Sequence, residues 1–474
     1  MKRIGLLVLG CLLVWSAAAQ EHNMARLVLE DTTYVDVSLG VAGATGDLKD
    51  IFDPASKLGG ALTAESQRTL SSVSLYGRFG YGYDYGWGST WRGWIDPYET
   101  PFMLADSIPG SLSLERYSMQ AGAGLPLGRH WSLGLDLDYD VALMAKHKDL
   151  RNKNTAMTFR VSPGIYWRGA RGGVGLNLGY ERATERVEYM QVSENVEHML
   201  FDLYGLWIYH ASGFASAENR RMKENNRFFG NVQVDLSLGS VKISNDLGLS
   251  WLRSEQSEVG YNNQRFGTIH NLTWTDRLSV RIGEAHLIEA SADFSTMQGF
   301  RPLQRQELDP DSRIRVWVTY GDPVYCYWRK EHQAHWRYTY GTSWKISVGL
   351  SNWHLSHTYV EYPHQFSQQI GTMTPSLAAE IPLGQLFTLS VSAGYAKDYH
   401  PVCEITEWQL ADPMLRQWEY WEGNSWLAGV GLKWHSASGR TYVRARYDVE
   451  DSTEPSTDIG GTRHNAALTL GFIF

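Results

Sequence analysis

The chain predicts an all-β fold, a transmembrane antiparallel up-and-down β-barrel of about 16 strands, or about 14 or 18 if one hairpin is assigned differently. Three observations predict it. Apolar residues alternate with small or polar ones at period two, segment after segment, up to the terminal Phe474. Short connections alternate strictly with longer ones. Large aromatic residues flank the short connections on the apolar face. Together these imply long extracellular loops and short periplasmic turns.

The first residues form a separate element. Lys2 and Arg3 precede an apolar run, Ile4–Trp15, and Ala17-Ala18-Ala19 supplies small residues for cleavage. Residues 1–19 therefore read as a secretory signal peptide. A lipoprotein signal at Leu9-Gly10-Cys11 is disfavoured because the apolar run continues past Cys11. Residues 20–70 are irregular, although Tyr34–Ala42 alternates and fits a short strand. They are expected as a periplasmic extension or an inward-folded plug, with the barrel occupying 71–474.

The clearest alternation begins at Val73. Leu75, Phe79, Tyr81, Tyr83, Tyr85 and Trp87 share one face, and Arg78, Gly80, Gly82 and Asp84 share the other. From Val73 to Trp87 the strand is about 50 Å long, and a 45° tilt leaves about 35 Å along the membrane normal. Similar strands follow as far as the chain end. Short turns are predicted at 126–130, 168–172, 239–240, 283–285, 341–343, 382–386 and 435–439. The longer connections fall at about 88–110, 146–155, 183–225, 252–264, 296–324, 355–367, 397–417 and 450–462. Pro163 and Pro375 lie inside predicted strands, so bulges or shifted boundaries are expected there. Ile314–Tyr320 also alternates and is expected to meet Val324 through Gly321-Asp322-Pro323 as an extracellular flap.

Trp131, Trp167, Trp344, Phe387 and Trp434 stand beside short turns at one depth, as a periplasmic aromatic girdle would. The last strand carries Leu468, Leu470, Phe472 and Phe474 on one face. With this pattern the sequence resembles bacterial outer-membrane β-barrels, whose final strand commonly ends on Phe with apolar residues at every second position before it. The resemblance implies a signal read by the barrel-assembly machinery.

The chain carries 51 acidic against 43 basic side chains and a net charge of −8, which provides no polycationic surface for nucleic acid. It has 19 Trp, 26 Tyr and 46 Gly but 15 Pro, a mixture suited to many strands between aromatic belts. Cys326 and Cys403 fall in different loops, so a disulfide would need one loop to cross the rim. No Cys/His cluster has metal-ligand spacing, and no cofactor is implied. Asp309 and Asp311 lack the glycine and distal glutamate of a calcium loop.

Alternation turns charged side chains into the lumen. The candidates are Arg78, Asp84, Asp136, Asp138, Asp140, Arg160, Arg337, Lys433, Arg440, Arg444 and Arg446. Acidic and basic walls of this kind suit a channel for a small solute. The bland alternative is that they pair and fill the barrel. Asp136, Asp138 and Asp140 form a ladder expected to pair with Arg160. Val196, Met199, Leu200, Leu203 and Trp207 have helical spacing, which suits either an amphipathic helix at the pore or a surface hairpin. Trp408, Trp418 and Trp421 in the acidic tract Glu404–Glu422 are expected on an exposed loop able to stack on sugars or touch a partner. Neither G-x-S-x-G nor H-E-x-x-H occurs, so a barrel hydrolase is the weakest of the readings.

The chain further resembles a family of outer-membrane barrels from Bacteroidota whose function is unknown. The likeness rests on the Ala-Gln signal end and on Leu104-Ala105-Asp106 leading to Glu115-Arg116-Tyr117. It continues through Leu125–Trp131 (L-P-L-G-R-H-W) and Leu150-Arg151-Asn152-Lys153-Asn154. The resemblance implies an accessory protein encoded beside TonB-dependent uptake receptors. Outer-membrane lipid and lipopolysaccharide would surround such a barrel. A TonB-dependent receptor or surface lipoprotein would be its protein partner if the loops dock rather than transport.

Overall fold

The computed structural model describes residues 23–29, 32–70, 72–193, 198–205, 207–213, 220–259, 264–311, 313, 315–361, 365–405, 411–454 and 460–474. The expected signal peptide, Val196 and Trp408 lie outside them. After a 3-10 turn at Met24–Leu29 come β1 (Tyr34–Gly46), β2 (Ser56–Leu70), β3 (Val73–Ser89), β4 (Phe102–Ala105), β5 (Gly110–Leu127) and β6 (Trp131–Lys146). Then follow β7 (Arg151–Arg168), β8 (Gly172–Met190), β9 (Met199–Tyr204), β10 (Tyr209–Gly213), β11 (Arg220–Leu238) and β12 (Val241–Glu258). Next are β13 (Arg265–Ile282), β14 (His286–Arg301), β15 (Gln304–Leu308), β16 (Arg315–Thr319), β17 (Val324–Tyr340) and β18 (Lys345–Tyr359). The chain ends with β19 (Phe366–Leu383), β20 (Phe387–Ile405), α1 (Ala411–Glu422), β21 (Ser425–His435), β22 (Thr441–Ser452) and β23 (Thr462–Ile473).

Eighteen of these strands form one sheet, and each wall strand pairs antiparallel with its neighbours. β23 closes on β1, with Phe472, Leu470 and Leu468 opposite Val37, Leu39 and Val41. At the rim Val35 and Phe474 exchange backbone hydrogen bonds of 3.2 and 2.8 Å. Closure leaves no free edge, the condition for strands to cross lipid. The terminal apolar ladder is thus one half of the seam, and Leu468 and Phe472 keep 54% and 41% of their surface exposed on the outer face.

The two strands beyond sixteen come from a segment expected as an extension or plug. β1 and β2 are wall, bridging β23 to β3, so the barrel begins at Tyr34 rather than at residue 71. What remains of the plug idea is the turn Met24–Leu29, which packs inside against β5, β6 and β7. Asn23 Nδ2 donates to the Ile165 carbonyl at 3.1 Å, and Ser132 Oγ donates to the Ala25 carbonyl at 2.6 Å. The turn lies so close to the wall that a Cβ at Gly134 would stand 2.0 Å from the Ala25 nitrogen.

Neither internal proline causes a bulge. Pro163 sits opposite Leu135, and Pro375 opposite Leu350, in unbroken register. On its other side each proline interrupts the ladder without shifting it. Ser162 Oγ donates to the Leu178 carbonyl at 3.4 Å beside the first gap, so a side chain occupies an acceptor where a backbone donor is missing. The register shifts at Gly86/Ser89, Gln256/Ser257, Gly299/Phe300 and Gln369/Gly371 instead.

Four of the five aromatic residues beside the short turns are exposed on the outer face. Trp131, Trp167, Trp344 and Phe387 are 48%, 40%, 48% and 40% exposed. Trp131 faces Trp167, and Phe387 faces the half-buried Trp434, across neighbouring strands. A second ring, absent from the sequence reading, runs round the outer face roughly eight to ten residues higher, about the 25 Å of an apolar band. Phe228 lies 5.1 Å from Tyr180 and 6.2 Å from Trp251, and Phe294 lies 5.2 Å from Trp274 and 5.8 Å from His332. His332 stacks on His354 at 4.7 Å. His332 and His354 extend this belt of Trp, Tyr and Phe.

Cys326 and Cys403 are free thiols. Cys326 Sγ donates to the Gly299 carbonyl at 3.6 Å, and Cys403 Sγ accepts from Gln368 at 3.5 Å. Purified protein should therefore show no disulfide between them. Its mobility on denaturing gels should be the same with and without dithiothreitol, and a shift on reduction would contradict the assignment.

Candidate functional site

The outer mouth of the barrel is filled by its own loops. Segments 47–55 and 90–109, the residues Leu200, Leu203, Trp207 and Ile208, and the helix α1 meet over the lumen and share one apolar core with the inward faces of the wall. Trp94, Trp207 and Trp421 are almost completely buried there. Phe52 stacks on Trp207 at 5.7 Å and meets Tyr98 edge-on at 5.3 Å. One hydrogen-bond chain ties all four together. Trp207 Nε1 donates to Gln417 Oε1 at 2.6 Å, Gln417 Nε2 donates to the Tyr98 hydroxyl at 2.9 Å, and Tyr98 donates to Asp50. Burial raises the Asp50 carboxyl above its ordinary range and pushes the Tyr98 hydroxyl well above its own.

Among its described residues the connection 183–225 holds no helix, and its β9–β10 hairpin is turned into the seal and not onto the surface. β8 and β11 extend into it from both sides, and β9 pairs with β10 and with β4 in a small three-stranded sheet. Leu200, Leu203 and Trp207 are buried in the seal, whereas Met199 is exposed. The acidic tract holds α1, whose Trp418 and Trp421 are also buried, not displayed. The alternating stretch before Tyr320 is a flap as expected, but it pairs with β15 and not with the strand at Val324.

Segment 90–109 is stitched to the wall by buried ions. Lys223 on β11 pairs with Glu99 at 2.5 Å and Glu185 at 3.0 Å, its own side chain only 3% exposed. Burial opposes ionisation of Glu99, yet Lys223, together with Arg227 and Asn225, outweighs it and holds that carboxyl below the ordinary glutamate value. Lys146 pairs with Asp106 at 2.6 Å. Arg329 donates to the Tyr98 carbonyl at 2.7 Å and pairs with Glu331. Each charge reaches this depth because a partner accompanies it.

Against the seal lies a cavity of about 450 Å³, walled by β1, β2, β3 and β5 and by segments 47–55 and 90–98. Gly40, Ala42, Gly59, Ala61, Gly82 and Gly86 give it volume, because the inward positions of three neighbouring strands carry almost no side chain. Its apolar lining comes from Phe52, Ile95, Tyr98, Leu112 and Leu114, and its charges include Asp84, Asp96, Lys57, Arg92 and Arg116.

The predicted lumen residues separate into groups. Asp84 pairs with Arg116 at 3.1 Å and borders the cavity. Asp136 accepts two bonds of 3.1 Å from Gln120, while Asp138 and Asp140 face Arg160 and Thr158 across the β6–β7 ladder. Arg160 pairs with Glu181 at 2.9 Å, a glutamate on the next strand, rather than serving the aspartate ladder alone. Arg78 lies opposite Glu65 and Gln120. Arg337 lies opposite Glu289, and Lys433 opposite Arg444, whose guanidinium sits 4.5 Å from the Tyr442 ring. Arg446 holds Asp448 by two bonds of 2.6 and 2.8 Å. Arg440 is the exception. It belongs to the turn between β21 and β22, where its carbonyl accepts from the Ile473 nitrogen at 2.6 Å, so it is a rim residue and not a wall residue. The acidic ladder on β6 and the cations on β17, β21 and β22 therefore occupy separate arcs of the wall. Lys223, Glu99 and Tyr98, the residues that close the mouth, were not singled out from sequence, since they lie far apart along the chain.

By fold this is an outer-membrane-type β-barrel, closed and antiparallel, with eighteen strands. The chain belongs to a family of unknown function (DUF6850), which it matches over residues 24–474. No curated protein matches it. Among solved structures it is similar to the ferric-catecholate import receptor Fiu of E. coli K12, at 8% identity and TM-score 0.46, with 94% of this chain and 82% of that one covered. The ferric enterobactin receptor PfeA of Pseudomonas aeruginosa aligns at 9% identity and TM-score 0.42, over 94% and 81% of the two chains. BauA, the ferric preacinetobactin receptor of Acinetobacter baumannii, aligns at 8% and 0.43, over 94% and 80%. At these values the likeness carries no argument about function.

Proposed function

We propose that the protein is an outer-membrane barrel taking part in uptake of a small solute through a gated lumen, and that it is not an open porin. The observation behind this reading is the charged cavity lying directly against a loop seal. A barrel serving purely as a scaffold has no need to leave that space under its lid. The seal itself argues against free diffusion, because a packed apolar core joined by buried ion pairs opens only at a cost of several kcal/mol.

Planar bilayers test the reading. Wild-type protein should show no stable conductance, and replacing residues 91–106 by a short Gly-Ser connection should produce discrete open channels. Steady porin-like currents from the wild type would refute the gate. A lid-deleted barrel that folds yet never conducts would refute the uptake route.

A second reading, an interaction barrel docking on a TonB-dependent receptor or surface lipoprotein, is supported by the β15–β16 hairpin. Leu308 and the neighbouring Tyr320 are 63% and 54% exposed there, outside the wall. Pull-down from native membranes with and without residues 304–319 separates the two readings.

A further inference from the structure

The cavity against the seal has a composition that selects among solutes. Its lining contains four carboxylates, Asp50, Asp53, Asp84 and Asp96, and four cations, Lys57, Arg92, Arg116 and Arg463. Six of the eight are committed within the protein. Asp84 pairs with Arg116, Asp50 accepts from Tyr98 and the Phe52 nitrogen, Arg463 donates to the Gly46 and Ala55 carbonyls at 2.9 and 3.0 Å, Arg92 donates to the Ile95 carbonyl at 2.8 Å, and Asp96 accepts from the Tyr98 nitrogen at 3.0 Å. Among the described residues, the Lys57 and Asp53 side chains enter neither an ion pair nor a hydrogen bond, which leaves one charge of each sign.

Equal numbers of opposite charges repel neither pole of a ligand but give no net attraction to a polyanion or polycation. A molecule carrying one positive and one negative group gains at both ends. Between the charges, Phe52, Ile95, Leu112 and Leu114 offer apolar surface, and the glycine-lined strands let a ligand approach the backbone closely. The volume lies within the range of about 300–1,000 Å³ typical of small-molecule sites.

We infer that this cavity binds a small amphoteric solute of zero net charge with an apolar body, of the class of free amino acids and short peptides. The inference deepens the uptake reading and rests on it for the solute's route. Binding itself requires no conduction, so the two fail separately.

Isothermal titration of the full-length protein in detergent micelles tests it, with the zwitterionic dipeptide leucyl-alanine as probe. N-acetyl-leucyl-alanine amide, which has the same body without charges, serves as control. Leucyl-alanine should bind and the blocked compound should not. Lys57→Ala and Asp53→Asn should each weaken binding about tenfold or more, the weight of one lost charge-assisted hydrogen bond. Ala61→Phe should abolish it, because residue 61 faces Gly40 and Gly82 and a ring there fills the space. Far-UV circular dichroism checks that each variant remains folded. Equal binding of both compounds, binding of neither, or full binding to a folded Ala61→Phe barrel would each overturn the inference. Dipeptide binding to a barrel that does not conduct without its lid would leave the inference standing and remove the uptake route.

Discussion

A chain lacking residues 23–70 should fail to form a folded barrel in membranes. Counted from Val73 the remaining sixteen strands are an even set and look self-sufficient. The pairing says otherwise, because β3 is held by β2 and β23 by β1. Deletion leaves β3 and β23 with open edges at lipid depth, where each unsatisfied backbone group costs several kcal/mol. The two edges cannot simply join. Eighteen strands set the tilt and stagger of the whole wall, and a smaller barrel would force new ones on every strand. The buried turn at Met24–Leu29 would be lost as well, exposing the glycine-lined patch of β5–β7. Expression with an intact export signal, followed by recovery from outer membranes and circular dichroism, checks this. A heat-stable β-barrel from the truncated chain would show that β1 and β2 are dispensable.

Replacing Lys223 by alanine should release the lid while leaving the wall intact. The substitution strands Glu99 and Glu185, both below the loop surface, without the cation that accompanies them. Breaking a buried ion pair from one side costs about 3–5 kcal/mol. The wall, held by continuous ladders on both sides of β11, loses none of its own hydrogen bonds. Limited proteolysis should then cleave within 90–109 in Lys223→Ala but not in the wild type, and channel openings should appear in bilayers. Lys223→Arg should keep most of the protection by preserving the charge. Resistance of the alanine variant equal to wild type would mean that the apolar core alone holds the lid.

Much of the wall was legible in the chain because a barrel strand leaves a simple mark. Every second side chain meets lipid, so Leu133, Leu135 and Leu137 alternate with Asp136 and Asp138 whatever the rest of the protein does. β2 left a fainter mark. Its outer face mixes Leu58 and Leu62 with Gly60 and Ala64, and its inner face is Gly59, Ala61 and Thr63, so the contrast between faces is small. Parity alone proposed the candidate lumen charges, and it set Arg440 on a strand because parity does not say where a strand stops.

Period-two alternation by itself determined the barrel class, the turn and loop ends and the closing apolar ladder, since each depends only on neighbours two residues apart. Tertiary structure alone decided that the loops fold inward. Tyr98 meets Gln417, and Lys223 meets Glu99, across separations at which no local pattern survives. A loop's destination is fixed by the free energy of burying it against distant partners. That quantity is a property of the assembled surfaces and leaves no periodic trace in the segments that supply them.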